Sequence, residues 1–447
     1  MTFGRLSVVS LLLLAAAESR ADDSHYQDQP LGDRAAAMGG AFIALGDEAS
    51  GAYYNPAGLA DAPHSSVSLS ASVYGMVRQH TDGHDGPAAT DSNFQSYPTT
   101  VAWLWRVRRA RSDRGEGRVQ LGLSLLVPQS ALSSRHLEQR DPESASGADR
   151  IQPTRHRVLL SEDSTLWVGA SCAWKPLPWL SLGATLFGSV RTGLYQLHDQ
   201  TIDEVVDPGG AAIDRAAYGD RTNVRLSHYG LFGVVGAVFR VTGGLRAGVV
   251  LQPPLLRLAG SALVERVEAV RDPASGNVTL RALETDAPFQ DRRPLRVGAG
   301  LSYSAPGRFT VAADVSIHGP VGEHPAFDHP QTAALARIER RPVWQVNVGG
   351  ELYAAPWLPL RLGFFTDRSA AAPLEDCDAA GACEPHENLL VDGVHLYGIS
   401  GSAGLELERF SLNLGLSYAR GSGEPIPGVE LTRQRLFVNV GAAVRLR

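Results

Sequence analysis

The chain has 447 residues, 41 Lys and Arg against 47 Asp and Glu, and a formal net charge of −6. Without a basic stripe, nucleic acid is a poor partner, and 3 cysteines are too few for a disulfide-built scaffold. The length admits two or three soluble domains or one large barrel.

Residues 1–21 read as a secretory signal peptide. Arg5 supplies the positive end, Leu6 to Ala17 is an apolar core too short to span a bilayer, and Ser19-Arg20-Ala21 puts small residues at −3 and −1 of a cleavage site. The mature chain then begins near Asp22. No later run of 18 apolar residues marks a transmembrane helix, so the destination is the periplasm, the exterior or an outer-membrane barrel.

Residues 22–65 carry no strand alternation. Their centre is "RAAAMGGAFIALGDEASGAYYNPAGLA", Arg34 to Ala60. Gly39 and Gly40 permit close backbone packing. Pro56 holds Asn55 extended, so any helix over 40–53 must stop before it. The segment is too short and too rich in small residues to fold alone, so it is expected to fill the lumen of whatever follows.

From Ser66 onward the period is two. In "FTVAADVSI", Phe309, Val311, Ala313, Val315 and Ile317 oppose Thr310, Ala312, Asp314 and Ser316. In "RFSLNLGLSYAR", Phe410, Leu412, Leu414, Leu416 and Tyr418 oppose Ser411, Asn413, Gly415, Ser417 and Ala419. Strands are predicted near 66–77, 97–108, 118–128, 163–174, 179–191, 224–240, 244–257, 294–304, 308–318, 342–353, 358–367, 394–406, 409–420 and 432–446. Short links alternate with long polar stretches at 78–96, 129–162, 192–222, 258–293, 319–341, 368–393 and 421–431, and 258–293 has room for an extra hairpin. Fourteen strands with short turns at one end and long loops at the other make an all-β, antiparallel transmembrane barrel over 66–447, closed because a strand edge in lipid would leave backbone groups unpaired. Trp103, Trp105, Trp174, Trp179, Trp344 and Trp357 fall near strand ends, where interfacial girdles sit.

Parity turns Gln120, Arg246, Arg296, Asp314, His318, Gln345, Asn347, Glu351, Arg361, Glu406 and Asn413 inward. They either pair with one another and with the N-terminal segment or line a polar conduit. Cys377 and Cys383 bracket "CDAAGAC", a loop that a disulfide would close in an oxidising compartment, while Cys172 reads as a small surface residue. His80, Asp82, His84 and Asp85 cluster in a stretch that offers ligands for a divalent cation but reads more readily as a solvated loop. Asp367, Glu375, Asp376, Asp378, Glu384 and Glu387 form an acidic loop whose oxygens suit calcium or a cation bridging to lipopolysaccharide, although no EF-like spacing is present, and neither a resident metal nor a cofactor is expected. GxSxG, HExxH and P-loop motifs are missing, which argues against an enzyme.

Arg34, Ala35, Met38, Gly39, Gly40, Ala41, Asp47, Asn55, Pro56, Ala57, Gly58 and Leu59 together resemble the N-terminal signature of the FadL family of outer-membrane transporters for long-chain fatty acids and other hydrophobic compounds. The resemblance implies a 14-stranded barrel, a lumenal hatch over 22–65 whose gate includes Asn55, Pro56 and Ala57, and sideways release near a kinked third strand, where Gly122 offers the kink. It also implies a hydrophobic small-molecule ligand, contact with bilayer and lipopolysaccharide, a Gram-negative outer-membrane location and a monomer. The alternative is a structural barrel that docks secretion proteins, since related barrels carry the same signature.

Overall fold

The computed structural model describes residues 25–26, 29–83, 88–108, 117–140, 144–146, 149–206, 212–271, 277–333, 336–371, 375–377, 383–385, 393–426 and 429–446. The signal-peptide residues lie outside them. Alternating side chains build the strands β1 (Ser65–Gly83), β2 (Ala89–Arg108), β3 (Val119–Arg140), β4 (Asp149–Leu177), β5 (Leu180–Val206), β6 (Ala212–Thr242), β7 (Leu245–Gln252) and β8 (Leu256–Arg271). There follow β9 (Val278–Pro288), β10 (Arg296–Ala305), β11 (Phe309–His318), β12 (Val343–Ala355), β13 (Leu358–Asp367), β14 (His395–Glu406), β15 (Phe410–Ile426) and β16 (Val429–Leu446).

These strands close a 14-strand antiparallel barrel. Each wall strand pairs with the next, β7 pairs across to β10, and β16 returns to β1, with Ser65 opposite Leu446. Both chain ends of the wall therefore lie at one rim, with the tight turns 178–179, 243–244, 306–308, 356–357 and 407–409. The seventh wall position is split between β7 and β8. β8 pairs with the upper part of β6 and forms a hairpin with β9, which is the extra hairpin foreseen within 258–293.

The parity holds. Along β11 exposed and buried residues alternate without a break, and the buried set is Thr310, Ala312, Asp314, Ser316 and His318. Leu412, Leu414 and Leu416 face outward while Asn413 and Ser417 face inward. The six girdle tryptophans are exposed, Cys172 points outward, and Trp167 alone of the 7 is buried.

Several strands run much further than their apolar alternation. Most of 129–162 and 192–222, read as loops, belongs to β3, β4, β5 and β6, paired in continuous register. Above the bilayer both faces of a strand meet water, so the hydropathy contrast that marks it disappears. Gly122 does not kink the third strand, since it sits in regular register between Leu104 and Ser171. The irregularity falls at Val127-Pro128, between the rungs Leu126↔Trp167 and Gln129↔Thr165, where proline has no N–H for the ladder.

Candidate functional site

Inside the wall, the N-terminal segment is ordered by two short helices, α1 (Arg34–Ala37) and α2 (Gly51–Tyr54), and a 3₁₀ turn over Pro56–Asp61. α2 ends at Asn55, as the following proline requires. Leu31, Met38, Phe42, Ile43, Leu45, Tyr53, Tyr54 and Leu59 form one buried cluster with the inward wall residues Leu104, Leu126, Trp167, Phe187, Phe232 and Val250. The segment therefore shares its core with the barrel.

Polar groups fix it in place. Arg34 donates from Nε and Nη2 to the two carboxylate oxygens of Glu351, both at 2.9 Å, and from Nη1 to Asp47 at 2.8 Å. Glu351 also accepts from Arg361 Nε at 2.7 Å. Arg361 continues to Asn413 and Glu406, and Asn413 Nδ2 donates to Asp33 Oδ2 at 2.7 Å. Burial disfavours the charge on Asp47, but Arg34 and Arg246 outweigh it and hold the carboxyl below its usual range.

A second group, Arg296, Asp314 and His318, lies further from the turns. Arg296 and His318 are a cross-strand pair, and all three line a cavity of about 30 Å³. Asp314 Oδ2 accepts from the backbone N–H groups of Phe42 and Ile43, the latter at 2.7 Å. The His318 ring stacks on Tyr26, centroids 4.2 Å apart, and the Arg296 guanidinium lies 5.0 Å above Tyr53. Arg246 and Glu406 adjoin the first group, Gln345 and Asn347 line the cavity of the second, and Gln120 stands apart, bonded to the His64 carbonyl.

The glycine pair works by close approach. Gly39 has φ 65°, its N–H donates to Ser400 Oγ at 3.1 Å, and a Cβ there would meet the backbone of Phe364. Asn347 donates to the Gly39 carbonyl. Asn55 is fully buried; its Nδ2 donates to the carbonyls of Ile43 (2.8 Å), Ala237 (3.1 Å) and Val249 (3.2 Å), and its Oδ1 accepts from Ala57 N–H. Pro56 and Ala57 abut Gly183 of β5, and Gly58 packs on Leu45 and Gly46.

Sequence reasoning missed Asp61, which pairs with Lys175 at 3.1 Å and with Arg240. It also missed the inward glycines Gly183, Gly248, Gly349 and Gly363, against which the segment's backbone rests, and Gly236, which meets the Asn55 side chain. Glycine on the inward parity of neighbouring strands was the available signal. Asp367 leaves the acidic-loop set: it faces the lumen, bonded to His25 at 2.7 Å and to Arg435 at 3.1 Å. The side chains of Glu375, Asp376 and Glu384, and residues Asp378, Glu387, His84 and Asp85, lie outside the described residues, and among those described no cluster is built to hold a metal. Cys377 and Cys383 are directly opposite in a small hairpin, with their side chains outside the description.

Between the segment and the wall at β1, β2 and β12 to β16 lies a larger cavity of about 300 Å³, bordered by Asp33, Glu48, Ser68, Thr100, Glu406 and Arg445. Its lining mixes polar and apolar surface and carries both signs of charge.

No protein-family model and no curated protein matches the sequence. Solved structures match over nearly the whole chain. A Pseudomonas aeruginosa FadL homologue is 15% identical, covers 96% of this chain and 100% of its own, and has a TM-score of 0.62. The Pseudomonas putida toluene transporter TodX is 14% identical with a TM-score of 0.57 over 95% of this chain and 100% of its own. The Ralstonia pickettii toluene transporter TbuX is 15% identical with a TM-score of 0.56 over 94% and 99%. The resemblance read from Arg34–Ala60 is thus matched by the fold of the whole barrel.

Proposed function

We propose that the protein passes hydrophobic small molecules across the Gram-negative outer membrane, binding them in the barrel and releasing them when residues 22–65 move as a hatch. In this reading Arg34, Met38, Gly39, Gly40, Asp47, Asn55, Pro56, Ala57 and Gly58 seat the hatch. Arg296, Asp314, His318, Glu351 and Arg361 are its lumenal partners. The barrel works as a monomer in contact with bilayer and lipopolysaccharide, and no bond is made or broken.

One observation carries the reading. β2 pairs with β3 only as far as Thr100↔Leu126. Beyond that rung β2 stays with β1 and β3 with β4, so the wall parts next to the Val127-Pro128 irregularity. Directly behind the parting lie Leu126, Ala102, Leu104 and Trp167, all buried in the shared apolar cluster. An apolar solute there would pass between lipid and an apolar part of the lumen lining, staying out of water at each end. The full-length likeness to structures described as a FadL homologue and as toluene transporters supports the same class of cargo; long-chain fatty acids are one member and monoaromatic hydrocarbons another.

The charged groups of both signs around the 300 Å³ cavity favour a second reading, a docking barrel whose lumen is simply filled. Uptake decides between them. Cells lacking their own transporter and expressing this chain should accumulate radiolabelled oleate or toluene faster than control cells, and Thr100→Trp at the parting should slow that uptake. Uptake of both equal to control, with the barrel correctly inserted, rejects transport.

A further inference from the structure

The wall carries a second interruption, away from the β2–β3 parting. β6 runs unbroken, but the strand beside it stops at Gln252 and restarts at Leu256. The rungs Val235↔Leu251 and Leu231↔Leu256 bracket the break, so Phe232, Gly233 and Val234 have no ladder partner on that side. Pro253 and Pro254 have no N–H to donate, and across the break β10 begins only after Pro294. A backbone bond from Leu255 N–H to the Arg293 carbonyl, 3.2 Å, bridges it.

The break lies at membrane depth. β7 rises 8 residues from its turn before stopping. At about 3.3 Å per residue and a tilt of about 40°, that is about 20 Å, within an apolar band about 25 Å tall. Outside the break Tyr229, Val235, Leu251, Leu256, Leu258 and Leu295 are exposed, so lipid surrounds it. Inside it Phe232 and Val234 are buried with Trp167 and Phe187, the Phe232 ring centroid being 4.8 Å from Trp167 and 5.1 Å from Phe187. Between the two sides sits Leu255, half-buried against that cluster, its tip over Gly230, where a Cβ would approach to 2.9 Å.

An interrupted ladder in lipid leaves backbone groups without partners and is costly. A wall needed only for closure would continue the strand. Here prolines preclude it, and the Leu255 side chain lies between the lipid-facing surface and the buried aromatic cluster. We infer that the Pro253-Pro254 break is a second side portal, through which a neutral apolar molecule exchanges between the lumenal aromatic cluster and the outer leaflet, with Leu255 as its stopper. The inference rests on the transport reading but is separable from it.

The test is photolabelling from the bilayer. The full barrel is placed in phosphatidylcholine vesicles containing a neutral iodophenyl diazirine, irradiated, and mapped by peptide mass spectrometry, with folding checked by heat-modifiable migration. Wild type should carry adducts on inward Phe232 and Val234 as well as on outward Leu251. Leu255→Ala should raise the inward adducts several-fold, Leu255→Trp should lower them, and Thr100→Trp at the other parting should leave them in place. Should Leu255→Trp fail to fold, Leu255→Ala alone decides. Inward labelling that ignores Leu255, or that Thr100→Trp abolishes, overturns the portal. If cellular uptake persists in that case, the portal alone falls; if uptake is also absent, the transport reading falls with it.

Discussion

Arg34 of the N-terminal segment and Glu351 of β12 meet at two points, Nε to Oε2 and Nη2 to Oε1, both at 2.9 Å. The two residues are 317 apart in sequence, and the Glu351 side chain is almost fully buried. A forked guanidinium fits a carboxylate in this way and an ammonium does not. Arg34→Ala should therefore loosen the segment without preventing barrel assembly. Its cost should fall near the low end of the about 3–5 kcal/mol typical of breaking a buried pair, because Arg361 still serves Glu351. Arg34→Lys should recover only part of the loss. Protease sensitivity of residues 34–60 in the inserted barrel, read beside single-channel conductance, measures it, and an unchanged seat in Arg34→Ala would remove the pair from the hatch's anchoring.

Asn55 makes a sharper prediction because its two amide atoms have opposite duties. Its N–H₂ group faces three carbonyls, those of Ile43, Ala237 and Val249. Asn55→Ala leaves them underserved, at about 1–3 kcal/mol for unsatisfied buried groups. Asn55→Asp nearly preserves the shape but turns a carboxylate toward three carbonyl oxygens, so it should be the more damaging of the two. The order is read from the thermal release of the segment, with Gly236 as the neighbour that leaves no room for adjustment. An Asn55→Asp barrel that holds the segment better than Asn55→Ala contradicts the assigned amide orientation.

The alternation of Phe309–His318 marks a lipid-facing wall in the sequence itself, because in the bilayer one face must be apolar and the other need not be. Above the bilayer that asymmetry ends, and the upper halves of β3 to β6 were unreadable for that reason. The break at Pro253-Pro254 fell inside a strand predicted over 244–257, since the leucines on either side kept the segment apolar. In the candidate site, Arg34, Gly39, Gly40 and Asn55 stood out as special residue types at fixed spacing. Their partners Ser400, Ala237 and Val249 did not, because a partner is set by barrel register across hundreds of residues. Asp61 with Lys175 and Arg240 was hidden for the same reason.

Parity can be tested on β15. Leu414 is 60% exposed on the outer face. Leu414→Arg should cost about 2–4 kcal/mol if the position lies near the midplane. The inward comparison is best made at Ser411, opposite Glu406 and beside the large cavity. Asn413 suits it less, because arginine there would confront Arg361. Ser411→Arg should be mild in a urea refolding titration into lipid vesicles. Equal losses at 411 and 414 would defeat the assignment of faces.

If residues 22–65 act as the proposed hatch, Glu48 gives it a pH response. It is half-buried at the large cavity and accepts from Ser50 Oγ at 3.0 Å. Burial, then the neighbouring Asp33 carboxylate, push its pKa up from 4.5 to about 8, with Asp47 adding to the rise and Arg34 and Arg361 opposing it. In the docked segment Glu48 is therefore neutral at pH 7, whereas in a released, solvated segment it would ionise near its usual value. The docked state binds the extra proton, so its stability is fully present below about pH 4.5 and is lost progressively as pH rises to about 8, beyond which no further loss comes from this group. Hatch opening, seen as conductance steps in planar bilayers, should become more frequent between pH 5 and pH 8 and then level off, within the window set by those two values. Glu48→Gln keeps the neutral shape at every pH, so its opening frequency should stay at the low-pH wild-type level throughout. A Glu48→Gln barrel that retains the full wild-type slope would assign the pH response to another group and leave Glu48 without a part in gating.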